Sequence, residues 1–171
     1  SKYSEALIME IIQISKTPES DILRQLYKIN QQHAHYLTDL SSDVELSKLI
    51  NLSDVCMYGL NNGSVVGFMI CFREKSEHRS LNYKYFNERE TRFIYVDRIA
   101  INNDYLGHGH GSQLYKELYK YAAPKNLPIC CEVYTRPKNI VSLNFHYKNG
   151  FKPIDSYDFE NYSVEYLKRT I

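Results

Sequence analysis

The sequence predicts an α/β fold in which a β-sheet is flanked by helices. Short apolar patterns rich in β-branched residues alternate along the chain with patterns that repeat every 3.6 residues, as strands and amphipathic helices do. Between residues 94 and 150 the order is a buried strand, a glycine-rich turn, an amphipathic helix, an apolar strand and a helix closed by Gly150-Phe151. This alternation favours the α/β class.

The N-terminal part of the chain predicts one strand and two helices. Residues 6–15 are rich in β-branched residues and too few for an independent helix, so we predict a strand there. Residues 17–21 begin a helix, and Ser42 or Asp43 caps a second one. The apolar positions of both helices follow the helical period, so we expect the two helices to cover one face of the sheet.

A hairpin and a long polar segment come next. Residues 55–60 and 64–73 resemble paired strands, and residues 61–63, Asn-Asn-Gly, give a hairpin signal between them. Residues 74–91 are polar but contain aromatic side chains. Loops longer than about 15 residues are uncommon unless they are functional or disordered, so we expect these aromatic residues to pack against the domain.

The second half of the chain completes a sheet of about seven strands and about four helices. Its strands are predicted at residues 93–101, 128–134, 151–159 and 163–168, and its helices from residue 109 and at residues 140–149. A chain of 171 residues that is 43% hydrophobic can form one well-cored domain and is short for two. We therefore predict a single domain over residues 1–171.

Composition and charge exclude several functional classes. The net charge of +1, with no basic stripe, argues against nucleic-acid binding. No apolar run approaches the ~20 residues that cross a bilayer, and residues 1–5 do not lead into a signal peptide. The 4 cysteines lack C-x-x-C spacing, so we expect buried, reduced thiols. These observations predict a cytoplasmic protein that is not bound to a membrane.

Three alternating glycines connect the strand at residues 93–101 to the next helix. The turn reads Leu106-Gly107-His108-Gly109-His110-Gly111-Ser112. Glycines let the backbone approach a ligand closely, and a helix N-terminus offers unpaired N–H groups and a partial positive charge that suit a phosphate. The turn therefore predicts a phosphate site, although such turns also serve strand–helix packing without a ligand.

Two other phosphate-binding motifs do not fit this turn. A P-loop requires Gly-Lys-Ser/Thr, whereas Gly111 is followed by Ser112 and Gln113. A Rossmann fingerprint is G-x-G-x-x-G after the first strand of a parallel sheet, whereas the spacing here is G-x-G-x-G in the middle of the chain. His108 and His110 have no carboxylate or thiol at ligand spacing, so we expect no metal.

Two motifs together resemble the GNAT superfamily of N-acetyltransferases. Residues 106–111 are similar to the family's Gln/Arg-x-x-Gly-x-Gly/Ala turn, except that Leu106 occupies its first position. Residues 139–151 are similar to its Asn-x-x-Ser/Ala-x-x-Phe-Tyr-x-x-x-Gly-Phe motif, with His146 in place of the tyrosine. The resemblance covers most of the chain, is strongest over residues 92–154, and extends to a little-characterised bacterial branch of predicted acetyltransferases.

The resemblance implies a mixed, centrally splayed sheet and acetyl-CoA as cosubstrate. In this family the pantetheine arm lies between the strand before the glycine turn and the next parallel strand, where a backbone N–H polarises the thioester carbonyl. The turn's N–H groups would hold the pyrophosphate. The implied cofactor-binding residues are Ile99, Ala100, Ile101, Leu106, Gly107, His108, Gly109, His110, Gly111, Ser112, Asn139, Asn144 and Phe145. Asn139 could instead cap the last helix, and Phe145 could be a core residue.

Acyl transfer to an amine also needs a general base, because a lysine-like amine of pKa ~10 is largely protonated near neutral pH. Strand alternation places Asp97 on one face with Tyr95, Ile99 and Ile101, unless a bulge intervenes. Asp97 is therefore one candidate base.

Glu132 is the other candidate and the one we prefer. It lies among apolar residues of the adjoining strand, where burial would raise the pKa of its carboxyl group toward a useful value. Either carboxylate could instead form an ion pair, with Arg92, Arg98 or Lys148 as the partner.

The family's tyrosine protonates the leaving thiolate, and two residues here could take that role. His146 matches by position, and Tyr147 matches by chemistry. Neighbouring helical residues point about 100° apart, so only one of them can face the thiolate. His146 could also be a hydrogen-bonded core residue.

The sequence thus predicts an acetyl-CoA-dependent N-acetyltransferase in which a primary amine, on a small molecule or a peptide, attacks directly within a ternary complex. Substrate walls are expected from the first two helices, residues 74–91 and the last hairpin, including Tyr36, Asp39, Tyr83 and Tyr157. The sequence does not decide whether the protein is a monomer or a homodimer. The alternatives are a catalytically idle acyl-CoA-binding sensor or interaction domain, and a nucleotide-binding protein unrelated to CoA.

Overall fold

A seven-stranded mixed sheet organises residues 9–171, the part of the chain that this computed structural model describes. Its strands are β1 (Glu10–Ile14), β2 (Val55–Asn61), β3 (Ser64–Arg73), β4 (Ile94–Ile101), β5 (Ile129–Arg136), β6 (Lys152–Asp158) and β7 (Ser163–Arg169). The helices are α1 (Ser20–Gln32), α2 (Asp43–Leu52), α3 (Leu81–Arg89), α4 (His110–Ala122) and α5 (Ile140–Lys148). The strand order is β1-β2-β3-β4-β5-β7-β6, with β4 and β5 parallel and all other neighbours antiparallel. The predicted α/β class and seven-stranded sheet are confirmed.

Most of the predicted elements form near their predicted positions. The hairpin turn between β2 and β3 has Asn62 and Gly63 at φ 49° and 78°, the left-handed conformations that a tight hairpin needs. The first strand is observed at Glu10–Ile14. The predictions for residues 1–5 and for residues 6–8 of the first strand lie outside the described residues.

Helix α3 is the element that the sequence analysis did not predict. It forms within the polar segment 74–91 and makes five α-helices among the described residues, where about four were expected. The Ser80 hydroxyl caps it by accepting a hydrogen bond from the Tyr83 backbone N–H at 3.3 Å. Tyr83 and Phe86 are buried, as expected for aromatic residues that pack, but three buried positions in nine residues give only a weak periodic signal.

The sheet splays at its centre, between β4 and β5. These strands pair only at Ile94 with Ile129 and at Tyr95 with Cys130, and then diverge. On the other edge of β4 the pairing with β3 shifts by one residue, and Asp97 is the extra residue of this β-bulge. The predicted splay is therefore observed, and it begins next to a bulge.

The bulge changes which side chains share a face of the sheet. Tyr95 and Ala100 pack in the core beneath α1, α2 and α3, whereas Ile99 and Ile101 pack in the opposite core with α4 and α5. The predicted alternation, with Asp97 on one face together with Tyr95, Ile99 and Ile101, is wrong because the bulge, its stated exception, is present. The prediction that the first two helices cover one face is confirmed.

All four cysteines are buried and free, as the sequence predicted. Among residues 9–171, no helix has the length and apolarity that spanning a bilayer requires. The same residues contain no cluster of three or more potential metal-ligating side chains.

Candidate functional site

A cleft of about 760 Å³ opens where β4 and β5 diverge. One wall is the β4 backbone from Val96 to Ile101, whose edge toward β5 has no partner strand beyond Tyr95. The glycine turn, the start of α5 and the end of α1 form the other walls. His33, just after α1, donates a hydrogen bond from Nε2 to the Ile101 carbonyl at 2.8 Å, which ties the rim of the cleft to α1.

Three of the residues through which the glycine turn lines the cleft are glycines, which have no side chain to place there. Gly107 and Gly109 have φ values of 83° and 78°, and a Cβ added to either would meet nothing within 4 Å. Gly109 is the N-cap of α4, and no side chain caps this helix end. A helix N-terminus with open space in front of it fits the pyrophosphate of a CoA molecule.

Gly111 serves close packing. A Cβ at this position would lie 2.9 Å from Cζ of Phe145, so the Phe145 ring rests directly on the first turn of α4. Two glycines thus give the turn its backbone shape, and the third permits the close packing that is the alternative to a phosphate site.

Most of the predicted cofactor-binding residues line this cleft, and two do not. Those that line it are Ile99, Ala100, Ile101, Leu106, Gly107, Gly109, His110, Gly111, Ser112, Asn139 and Phe145. His108 and Asn144 are absent from the lining, and both side chains are exposed. Asn139 also caps α5, because its Oδ1 accepts a hydrogen bond from the Ser142 N–H at 3.2 Å. Lining the cleft and capping the helix are thus compatible for Asn139.

Glu132 lies at the junction of this cleft with a second cavity of about 370 Å³. The Tyr95 hydroxyl donates to its two carboxylate oxygens, at 2.8 and 2.6 Å. Burial raises the pKa of Glu132 to about 8, and the hydrogen bond from Tyr95 opposes that rise. Among the described residues no Lys, Arg or His forms an ion pair with Glu132. The ion-pair alternative therefore does not describe this carboxylate.

Asp97 is held in an ion-pair network instead. Arg98 Nε and His78 Nε2 each lie 2.8 Å from one of its carboxylate oxygens. Burial alone would raise the pKa of Asp97, but the Arg98 guanidinium and the hydrogen bond from His78 outweigh it and hold the pKa below its ordinary value. Arg98 also donates to Asn30 Oδ1 at 2.8 Å, which anchors the bulge to α1. A carboxylate compensated in this way is a weak base.

His146 lies in the cleft lining but is a neutral, hydrogen-bonded core residue. Its Nδ1 is 2.7 Å from the Ser142 carbonyl oxygen, which can only accept, so Nδ1 carries the proton. Its Nε2 therefore accepts from the Tyr115 hydroxyl at 2.7 Å. Burial lowers the pKa of His146 to about 4. As placed, His146 has no proton on Nε2 to give to a thiolate.

The structure does not bring Tyr147 to the cleft. Its ring is 40% exposed, and its hydroxyl donates to Glu165 on β7. Tyr115, which the sequence analysis did not single out, lines the cleft with its hydroxyl on His146.

The segments expected to form substrate walls contribute to the second cavity, through the second helix, residues 78–82 and Tyr162 of the last hairpin, but of the four side chains named from the sequence only one lines it. Tyr36 lines both the cleft and the second cavity. Asp39, Tyr83 and Tyr157 line neither: Asp39 accepts from Gln31, Tyr157 is 56% exposed, and Tyr83 is buried with its hydroxyl donating to the Arg73 carbonyl. Tyr134 and Tyr162 line the second cavity instead.

Sequence reasoning named Arg98 as a possible partner of Asp97, which the structure shows, but it missed Tyr95 as the partner of Glu132 and His78 as the second partner of Asp97. Tyr95 and Glu132 share a face because Tyr95 pairs with Cys130, two residues before Glu132. The parallel register of β4 and β5 would have revealed this contact, but nothing local to either residue indicates that register. The contact of His78 with Asp97 depends on the bulge and has no sequence signal.

Comparisons with known proteins agree with this geometry. A family model described as "Acetyltransferase (GNAT) family" matches residues 20–151. A search of curated protein sequences found no match. Among solved structures, the ribosomal-protein-S18-alanine N-acetyltransferase from Escherichia coli superposes with a TM-score of 0.68 at 16% identity, covering 96% of this chain and 94% of its own.

Two other solved structures show the same fold. Ard1 from Thermoplasma volcanium gives a TM-score of 0.70 at 19% identity, covering 95% of this chain and 97% of its own. Arabidopsis thaliana Naa50, solved with the bisubstrate analogue CoA-Ac-MVNAL, gives 0.68 at 18% identity, covering 95% and 99%. At such identities the likeness shows the fold and leaves the acceptor open.

Proposed function

Because the chain belongs to the GNAT acetyltransferase family, whose members use acetyl-CoA as cosubstrate, we propose that it moves the acetyl group of acetyl-CoA to a primary amine by direct attack in a ternary complex. The observation that carries the proposal is the position of Glu132. This carboxyl group, with no ion-pair partner among residues 9–171, lies where the cleft behind the glycine turn meets a second cavity. We propose residues 1–171 as one acetyltransferase domain.

The chain's backbone would hold the cosubstrate. N–H groups from Gly107 to Ser112 bind the pyrophosphate, and the open edge of β4 at Ile99, Ala100 and Ile101 pairs with the pantetheine arm. Leu106 replaces a longer polar residue at the rim and is 53% exposed, so its loss of polarity leaves the backbone cradle intact. Phe145 and Asn139 complete the wall on the α5 side.

Glu132 acts as the general base in this proposal. Near neutral pH its carboxyl group is largely protonated, because burial raises its pKa to about 8. An ammonium group that enters the cavity lowers that pKa by charge attraction, and Glu132 then takes a proton from the amine. The amine nitrogen forms the new C–N bond at the acetyl carbonyl carbon, a β4 N–H stabilises the oxyanion, and the C–S bond breaks to release a thiolate, while the cationic nitrogen loses its second proton to solvent and becomes a neutral amide.

The proposal assigns the Tyr115–His146 pair to the departing thiolate. In the resting protein the Tyr115 hydroxyl donates its one proton to His146 Nε2. In the proposed step this hydrogen bond breaks, the hydroxyl turns and gives its proton to sulfur, and the resulting phenolate regains a proton from solvent through the cleft. Asp97 has a structural role, since its charge is already matched by Arg98 and His78.

Two measurements test this function together. Thermal melting with acetyl-CoA, CoA, ATP and NAD tests the cosubstrate, since a native-state ligand at about a hundred times its Kd adds ~2.7 kcal/mol of stability. Thiol release from acetyl-CoA with a library of primary amines tests turnover. A melt shift with CoA species but no turnover with any amine would favour the idle CoA-binding alternative. A shift with ATP or NAD alone would exclude both the acetyltransferase and the idle CoA-binding domain.

A further inference from the structure

We propose that the second cavity binds a primary monoamine with an apolar body of aromatic size, whose amino group reaches Glu132. This inference rests on the proposed acetyl transfer and specifies its acceptor. The cavity measures about 370 Å³, within the range that suits a small molecule. It shares Glu132 with the cofactor cleft, and no residue of the glycine turn lines it. An amine in this cavity therefore approaches Glu132 from the side opposite the pyrophosphate.

The carboxylates in the cavity wall leave one group available to pair with an ammonium ion. Three carboxylates line it, and two of them already have cationic partners: Asp97 with Arg98 and His78, and Glu45 with Lys48 at 3.1 Å. Glu132 is the remaining carboxylate: it has no ion-pair partner within residues 9–171, and the neutral hydroxyl of Tyr95 donates to both of its oxygens.

A second ammonium group would meet opposition at the rim. Arg79 lines the cavity, is exposed, and forms no ion pair within the described part of the chain. A diamine or polyamine would bring a second cation toward this guanidinium without a free carboxylate to balance it. The distribution of charge therefore favours a monoamine over a polycation.

Aromatic rings form the wall beside Glu132. Tyr134 and Tyr162 are stacked with ring centroids 5.0 Å apart, and Tyr36 meets Tyr134 edge to face at 6.4 Å. All three rings line the cavity, together with Leu37, Leu40 and Leu49. Tyrosine rings pack well against flat apolar groups and attract an ammonium ion at their faces. The wall thus matches both ends of an arylalkylamine.

The test uses pairs of amines that differ in one property, with binding measured by titration calorimetry in the presence of CoA and turnover measured by thiol release. The ring-methylated para-methylbenzylamine (hereafter methylbenzylamine) and para-xylylenediamine have the same ring and differ by a second ammonium group. Phenethylamine and cyclohexylethylamine differ in aromaticity. Spermidine and the pentapeptide Met-Val-Asn-Ala-Leu represent polycations and polypeptide N-termini. We expect methylbenzylamine to bind at least about tenfold tighter than the diamine.

Variants assign the effects to the cavity. Tyr162→Leu should raise the Kd of phenethylamine about tenfold and leave CoA affinity unchanged. Tyr85→Leu is the matched control, because Tyr85, like Tyr162, stacks on another tyrosine, in its case Tyr166 at 3.8 Å, but lines neither cavity. Arg79→Ala should reduce the ratio between the Kd values of para-xylylenediamine and para-methylbenzylamine.

The two proposals can fail separately. Tighter binding or faster turnover of spermidine, para-xylylenediamine or the peptide than of the aromatic monoamines would overturn the acceptor assignment, even with acetyl transfer established. Equal effects of Tyr162→Leu and Tyr85→Leu would also overturn it. If phenethylamine binds as expected but no amine releases thiol, the acetyl-transfer proposal fails and the cavity assignment stands.

Discussion

The Tyr95 hydroxyl shares its proton between the two carboxylate oxygens of Glu132, at 2.8 and 2.6 Å, across the last paired residues of β4 and β5. The two strands separate immediately after this pair, so the contact stands at the start of the splay. Tyr95 is fully buried, whereas Glu132 reaches both cavities. The strand pairing that fixes the position of the proposed base thus lies outside the cleft that the cosubstrate would occupy.

Glu132→Gln should abolish most turnover and preserve cosubstrate binding. The amide keeps the size of the side chain and can still accept from Tyr95, but it cannot take a proton from the amine. We expect kcat to fall by about 10²–10⁴, the range for loss of a general base, with the Kd for acetyl-CoA within about twofold. Thiol-release kinetics and calorimetry measure the two quantities.

Asp97→Asn is the informative comparison for that variant. Asp97 is part of the bulge network with Arg98 and His78, so its loss should lower stability as well as activity. If Asp97→Asn removed turnover at unchanged stability while Glu132→Gln remained active, the base would be Asp97.

Tyr95→Phe should move the acidic limb of the pH–rate profile to higher pH. The hydrogen bond from Tyr95 stabilises the ionised form of Glu132 and opposes the effect of burial on its pKa. Without the hydroxyl, the pKa rises further above about 8, and kcat/KM should reach its plateau at a correspondingly higher pH. An unchanged profile would mean that a group other than Glu132 controls the acidic limb.

The sequence was sufficient where structure depends on local chemistry. The hairpin predicted at residues 61–63 forms, with Gly63 in the left-handed backbone that glycine adopts without steric cost, and Gly107 and Gly109 adopt the same conformation. The grouping of Ile99 and Ile101 on one face with Tyr95 and Asp97 was mispredicted because a bulge depends on how β3 and β4 pair, which no single strand reveals. The aromatic wall of the second cavity is likewise a product of strand order, which brings Tyr134 of β5 beside Tyr162 at the start of β7.

Gly109→Ala should weaken CoA binding more than its effect on stability would suggest. Gly109 adopts φ 78° at the N-cap of α4, and a Cβ there would stand in open space beside the turn's N–H groups. The left-handed backbone makes any L side chain costly, by about 1–2 kcal/mol. We expect Kd for CoA to rise by about tenfold or more, measured by calorimetry.

Gly63→Ala distinguishes the stability cost of a side chain on left-handed backbone from a loss of CoA binding. Gly63 has the same φ of 78° and the same open surroundings, but it lies in the hairpin turn between β2 and β3, away from the cleft lining. The two variants should lose similar stability, and only Gly109→Ala should lose CoA affinity. If both retained full affinity, the glycine turn would not be the pyrophosphate site.

Glu132→Gln should also stabilise the protein, increasingly so as pH rises. The folded pKa of Glu132, about 8, lies above its ordinary value of 4.5, so between these pH values the unfolded chain binds fewer protons than the folded one. The free energy of unfolding of the wild type therefore falls across this window, by at most ~1.4 kcal/mol per pH unit, and the variant lacks this loss. Because Glu132 is partly accessible from the cleft, we expect a total difference on the order of 2–4 kcal/mol.

Glu132→Gln must be compared with the wild type at each pH because His146 makes the free energy of unfolding depend on pH in the opposite direction. Its folded pKa of about 4 lies below the ordinary 6.5, so the stability it contributes is present above pH 6.5 and is lost as pH falls toward 4. Both proteins carry His146, so its effect cancels when their denaturant midpoints are subtracted at each pH. Glu88→Gln, on an exposed position of α3, controls for the change of residue type. A constant difference between Glu132→Gln and wild type from pH 5 to pH 8 would show that the Glu132 carboxyl group is ionised throughout, and so is not held protonated by its burial beside Tyr95.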